Sequence, residues 1–166
     1  MDPRVKTSAE DLRKQYDLML RMRDRQDEMN KAILAIRDLR SQLQALEKRL
    51  GSSEPAKPMV TASADLRKKI SAIEEELIQV NSKASEDELN YPTKLNSKLG
   101  YLQNAVDSAD AQPTAAELGV YSELDLQLES QLAKWGEVLA KDVPALNDTM
   151  QKNNVPLIAP SAPKAN

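Results

Sequence analysis

Residues 7–51 read TSAEDLRKQYDLMLRMRDRQDEMNKAILAIRDLRSQLQALEKRLG. No Pro and no Gly interrupts the run before Gly51, so it predicts one helix of roughly forty residues, about 60 Å long at 1.5 Å per residue. Thr7-Ser8-Ala9-Glu10 has the T-x-x-E form of a capping box, in which a hydroxyl and a carboxylate each satisfy an orphan backbone N–H. Gly51 supplies the stop, because the residue after a helix end often needs positive φ. Leu12, Tyr16, Met19, Met22, Met29, Ile33, Ile36, Leu39, Leu43, Leu46 and Leu50 recur mostly at steps of three and four, which places them on one stripe. From Arg21 to Glu28 charged residues crowd two turns and the stripe thins. A helix this long cannot bury its stripe alone, so the rest of the chain must supply partners.

Downstream, Gly51–Val60 holds Pro55 and Pro58 and reads as a connection that reverses direction. Leu66, Ile70, Ile73, Leu77 and Val80 step 4, 3, 4, 3, a heptad seam that predicts a second helix over about 63–83. Tyr91-Pro92 forces extended backbone. A third helix follows over about 93–109, with Leu95, Leu99, Leu102 and Val106 on its seam. Thr114-Ala115-Ala116-Glu117 is a second capping box and opens a last helix over about 115–153. Its stripe is Leu118, Tyr121, Leu124, Leu128, Leu132, Trp135, Leu139, Val143, Leu146 and Met150. Pro144 within that run predicts a kink or a restart. Residues 2–6 read as extended, and the tail 154–166 as irregular, lying along the bundle or disordered.

Of 166 residues, 40% are hydrophobic and 30% charged, aromatics are 3%, and Gly occurs four times. That is the vocabulary of long amphipathic helices rather than sheets. The predicted fold is all-α: one domain over 1–166, an elongated antiparallel helical bundle of two long and two shorter helices. The two shorter helices, placed end to end, would form the broken middle of three layers. The alternative is a four-helix up-down-up-down bundle.

The chain has no His and no Cys. Ser–His–Asp and Cys–His catalysis, Cys/His zinc sites and Glu-x-x-His di-iron pairs are therefore excluded. Residues 1–50 carry twelve Lys/Arg and nine Asp/Glu, and the remainder eleven and seventeen, which gives +3 and −6 and the net −3 of the whole. Mixed-sign solvated faces explain this pattern, and an acidic chain without a concentrated basic patch argues against nucleic acid. No run of eighteen apolar residues exists, so membrane insertion is not expected. Met1-Asp2-Pro3-Arg4-Val5 has no signal-peptide pattern and reads as the start of a domain cut from a longer protein.

Lys94-Leu95-Asn96-Ser97-Lys98-Leu99, Val106 to Thr114, Asp2-Pro3-Arg4-Val5 and Leu128-x-x-x-Leu132 together carry a likeness. On them the chain resembles the C-terminal helical region of large bacterial β-propeller proteins with sialidase-type (BNR, Asp-box) repeats, similar to the sortilin propeller. The resemblance covers nearly the whole chain. It implies a secreted or periplasmic parent, one often labelled a glycosyl hydrolase, with these helices as an appendage. The Ser-x-Asp-x-Gly-x-x-Trp Asp-box is absent here, so no propeller residue carries over.

Glu74-Glu75-Glu76 and Glu86-Asp87-Glu88 are carboxylate clusters, but consecutive residues on an exposed helix fan apart, whereas acid–base work needs two environments across a cleft. Asp107-Ser108-Ala109-Asp110 lacks the ligand set of a calcium loop, and no Gly-rich phosphate loop occurs. No catalytic residue, cofactor or metal site is expected. Met19, Met22 and Met29 suit either core or an adaptable contact surface. Arg21 and Arg25, one turn apart, suit an acidic partner or local pairs with Asp17, Asp24 or Glu28. These five form the candidate interface. Trp135 reads as an anchor, and Tyr91 as a plug for the break in the middle layer. The function expected is a non-catalytic spacer or docking module for neighbouring domains or for self-association. The alternative is a peptide- or carbohydrate-binding accessory module of a secreted hydrolase.

Overall fold

The computed structural model describes residues 6–51 and 53–160. Among them there are helices, turns and coil and no strand, so the fold is an all-α helical bundle. The helices are α1 (Ala9–Leu50), α2 (Lys57–Leu77), α3 (Leu95–Val106), α4 (Ala115–Glu137) and α5 (Val143–Lys152). A π-helical turn, Val138–Asp142, joins α4 to α5 without a break, and 3-10 turns occupy Glu54–Ala56 and Ser85–Leu89. The extended segment expected over Asp2–Val5 and the tail beyond Pro160 lie outside the described residues.

Backbone packing divides the chain into two compact units. One holds α1 up to Asn30 together with Leu77–Ser130; the other holds Lys31–Glu76 together with the chain from Gln131 onward. Each unit thus contains three helical segments. α2 up to Glu76 and α3 fall in different units.

In the first unit, α1 buries Gln15, Leu18, Met22 and Met29. With half-buried Arg25 between them the steps are 3, 4, 3, 4. This corrects the predicted stripe, which ran through Tyr16 and Met19. Tyr16 is 60% exposed, and the buried positions lie one residue earlier. The stripe followed residue type, whereas two seam positions hold polar side chains whose heads are paired. Gln15 donates from Nε2 to Val106 O at 2.6 Å and Ala109 O at 2.8 Å. Those carbonyls belong to the frayed end of α3, which stops at Val106 rather than near 109 because Gln15 satisfies its terminal acceptors. Leu95, Leu99, Leu102 and Val106 are buried as predicted. Tyr121, Leu124 and Leu128 of α4 complete this core. The start of α1 caps one residue later than expected. Ser8 and Asp11 form the box, with Asp11 N–H on Ser8 Oγ at 3.1 Å and Ser8 N–H on Asp11 Oδ2 at 3.2 Å. Thr7 instead donates its hydroxyl to the Asp110 carbonyl. Contacts of Gln15 with Val106 and of Thr7 with Asp110 set α3 antiparallel to α1. Arg21 over Tyr121 and Arg25 beside Asp125 set α4 parallel to it. With three layers, two must run the same way.

In the second unit, Ile36, Leu39, Leu43 and Leu46 of α1 face Ala56, Met59, Ser63, Leu66, Ile70 and Ile73, all buried. The second set is a strict 3–4 repeat that begins before α2 itself. α2 starts six residues ahead of the predicted 63, because Pro58 falls in the first turn, where a missing N–H costs no bond. It ends at Leu77 rather than near 83, and Val80 is exposed. There Gln79 turns its amide to other partners, Pro92 O at 3.0 Å and Asn81 N–H at 3.2 Å, which compete with the helical ladder. Arg67 meets Glu47 at 3.1 Å and Glu74 meets Arg37 at 2.6 Å, so α2 runs antiparallel to α1, and Lys69 ties it to Asp142 at 2.6 Å.

The π turn answers Pro144. A proline lacks an N–H and its ring crowds the carbonyl four residues back. Here Val143 N–H reaches back five residues, to Val138 O, which widens the turn just ahead of the ring. The helix continues instead of restarting. The extra residue also resets the seam: Trp135 and Val138 are buried, then Val143, Leu146 and Met150, while Leu139, predicted on the stripe, is 39% exposed.

α5 ends in a Schellman motif on Asn rather than Gly. Asn154 has φ +54, its N–H bonds Gln151 O at 3.1 Å, and Val155 N–H bonds Met150 O at 2.9 Å. The reversed chain then lies along this unit. Ile158 is buried. Asn147 donates to Ile158 O at 2.7 Å and accepts from Ile158 N–H at 2.9 Å. Gln42 does the same for Ala159, at 2.6 Å and 3.0 Å.

Candidate interaction surface

The five predicted interface residues divide. Met22 and Met29 are fully buried in the first unit's core, and Met19 is half-buried. The two core methionines present no surface, because their positions are seam positions. Arg21 and Arg25 do lie together on the side of α1 that faces α4.

Arg25 sits at a seam position with its head turned to carboxylates: Asp125 at 2.6 Å, Glu129 at 2.9 Å and Glu28 at 2.6 Å. Burial pulls its pKa down, but the hydrogen bond to Glu129 and the charges of Asp125 and Glu28 outweigh that, and the net displacement is upward. It is therefore a fixed cation that ties α1 to α4. The predicted local partners of this arginine gave only Glu28; the inter-helix pair was invisible because Asp125 and Glu129 lie a hundred residues away.

Arg21 differs. Its guanidinium lies 5.7 Å from the centroid of the Tyr121 ring, within cation–π range. Its Nε makes a long bond, 3.4 Å, to Asp17 O. Among the described residues it makes no salt bridge. Desolvation, then the Asp125 charge, pushes the Tyr121 hydroxyl pKa upward, so this ring stays neutral beside the cation. Arg21 borders a groove of about 490 Å³ lined by Lys14, Asp17, Gln112, Pro113, Ala115 and Leu118. Leu118 was predicted buried. It has the right phase, three residues before Tyr121, yet is 44% exposed, because α1 opposes it with Lys14 and Asp17 instead of an apolar side chain. Lys14 and Asp17 are already paired, with Glu10 at 3.1 Å and Arg13 at 3.9 Å.

The other sequence candidates serve the fold. Glu74, read as exposed, is 1% exposed; it receives Arg37 Nε at 2.6 Å and also Arg40. Position 74 flanks the Ile70–Leu77 seam, so its carboxylate points at α1 while Glu75 and Glu76 remain outside. Asp87 accepts the backbone N–H groups of Lys83 at 2.7 Å and Ala84 at 3.0 Å. Those two bonds lower its pKa. Glu117 closes the predicted box with Thr114, its carboxylate taking the Thr114 N–H at 2.7 Å. Trp135 is buried. Tyr91 is part-exposed and does not act as a plug; with Gln79, Pro92 and Asn96 it lines a shallow cleft of about 210 Å³. Among the described residues no group of three or more acidic side chains is arranged to hold a metal ion, and no helix is long and apolar enough to cross a membrane.

Compared with protein-family models, with curated proteins and with solved structures, the chain finds no match.

Proposed function

We propose that this chain is a non-catalytic helical interaction domain, which docks a neighbouring domain through the α1–α4 groove of the first unit. The observation that supports this is Leu118: a seam position left open, beside an arginine that meets no carboxylate among the described residues. An apolar side chain on Leu118, Pro113 and Ala115, with an acidic group toward Arg21, would complete the heptad. At about 25 cal/mol per Å², micromolar binding, about −8 kcal/mol, needs more than about 300 Å² of apolar surface before the cost of association, so the partner must cover more than these three residues. The carboxylates that might suggest chemistry, Glu74 and Asp87, are occupied by structural bonds, which favours the non-catalytic reading. By the sequence resemblance, the partner is the β-propeller region of an extracytoplasmic parent.

Size-exclusion chromatography with light scattering tests this, on the chain alone and with the adjoining part of its reading frame added in trans. A complex that Arg21→Glu and Leu118→Ser weaken is the expected outcome. A monomer that ignores the added region overturns docking and leaves only a spacer, whose use is the unbroken length of α1.

A further inference from the structure

Gln42 of α1 and Asn147 of α5 treat two consecutive backbone units in the same way. Each side-chain amide donates to a carbonyl and accepts from the N–H of the same residue, Ala159 for Gln42 and Ile158 for Asn147. All four bonds fall between 2.6 and 3.0 Å. This reproduces, from side chains, the reciprocal pairing of two residues in a β ladder. Successive residues of an extended strand present their amides to opposite sides, and the two carboxamides take one side each. One side chain of the segment is fully buried, Ile158; Val155 and Pro160 are half-buried, and Pro156, Leu157 and Ala159 are exposed. Four hydrogen bonds to backbone specify no sequence. One buried aliphatic side chain specifies a residue type.

We propose that the seat of the Val155–Pro160 segment on the second unit, marked by Gln42 and Asn147, is a docking site for an extended peptide of a partner protein, with that segment as its resident competitor. The peptide class is an extended segment with one buried aliphatic side chain, read otherwise through its main chain. The cis segment is held by little. Each bond is exchanged for one with water on release, and one aliphatic side chain supplies most of the apolar burial. Against this stands the ordering of the segment beyond Asn154, so release is accessible. This inference uses residues of the second unit only and does not depend on the Leu118 groove.

The test uses the full chain carrying Ile158→Asp, which vacates the seat, and a fluorescein-labelled peptide of sequence Val-Pro-Leu-Ile-Ala-Pro. Fluorescence polarisation should show binding to this variant. Binding to the unchanged chain should be weaker by about tenfold or more, because a tethered competitor acts at an effective concentration in the millimolar range. Adding Asn147→Ala or Gln42→Ala should each weaken binding by about tenfold. The same peptide N-methylated at its isoleucine and alanine should not bind. Should circular dichroism show that Ile158→Asp loses helix, Ala159→Pro removes the N–H given to Gln42 and serves in its place. No binding to the vacated seat, or binding indifferent to Asn147 and Gln42, overturns the proposal. A concentration-dependent dimer of the unchanged chain that Ile158→Asp abolishes overturns it in favour of tail exchange between two copies. The light-scattering complex at Leu118 is unaffected by Ile158→Asp, so the two readings fail separately.

Discussion

Glu74 shows what one residue can do in a helical core. Its carboxylate is almost wholly out of water, and two arginines of α1 close around it. A buried charge is tolerated only when paired, and removing one partner costs more than the pair contributes. Glu74→Gln keeps the shape and removes the charge. It should lower unfolding free energy by about 1–3 kcal/mol, as a shift of the denaturation midpoint with unchanged slope. Arg37→Ala should cost less, because Arg37 is half in solvent and its loss leaves Arg40 on Glu74.

Asp87 gives a pH dependence with a fixed sign. Its folded pKa lies below the ordinary 3.8, through the N–H groups of Lys83 and Ala84. The stabilisation is therefore present above about pH 3.8 and is lost as pH falls through the lower folded value. Amide hydrogen exchange at Lys83 and Ala84, corrected for intrinsic rates, should accelerate over that acidic window and be flat above it. Asp87→Asn should abolish the step.

At the scale of the element, the π turn is a length adjustment. Val138 and Val143 are both buried five residues apart, where an α-helix would allow four. Deleting Ala140 together with Pro144→Ala restores the four-residue step and keeps both valines in phase. We expect cooperative thermal unfolding with a stability change below about 1 kcal/mol, because no core contact is lost. Deleting Ala133 instead should cost several kcal/mol, because it rotates Trp135 and Val138 away from the core.

The sequence reading succeeded and failed here for the same reason. α3 was legible because its four buried positions are all aliphatic. The two boxes at helix starts were legible from short-range spacing, though Ser8-x-x-Asp11 outcompeted Thr7-x-x-Glu10 by one residue. Periodicity of residue type misplaced the stripe where Gln15 and Arg25 occupy seam positions and where Leu139 does not. What justifies those polar residues is a partner far along the chain, and no local pattern contains it. The candidate surface was legible in part: Arg21 and Arg25 share a face, while Met22 and Met29 belong to the interior that their spacing equally allowed.

Over the whole molecule, each unit carries its own mark. The first core has an arginine on its seam with its acceptors on α4; the second has a glutamate with its donors on α1. A polar residue at a seam position, as Arg25 is, or flanking one, as Glu74 does, lowers stability and fixes which segments pair. Each unit also has a fully buried aliphatic residue on its middle segment, Leu99 and Ile70. Leu99→Ala and Ile70→Ala should each cost about 2–5 kcal/mol. Native-state hydrogen exchange should place the first loss of protection in α3 for the one and in α2 for the other. Equal loss across both would mean that the units do not open separately.

The interior placement of the thioethers has a consequence for redox chemistry. Met22 and Met29 are sealed in one unit, Met59 and Met150 in the other, and sulfoxide formation requires contact with the oxidant. Among the methionines of the described residues, a brief pulse of hydrogen peroxide should therefore modify the half-covered Met19 first. Mass added at Met22 or Met29, against Met59 or Met150, becomes an internal clock for how often each interior lets water in.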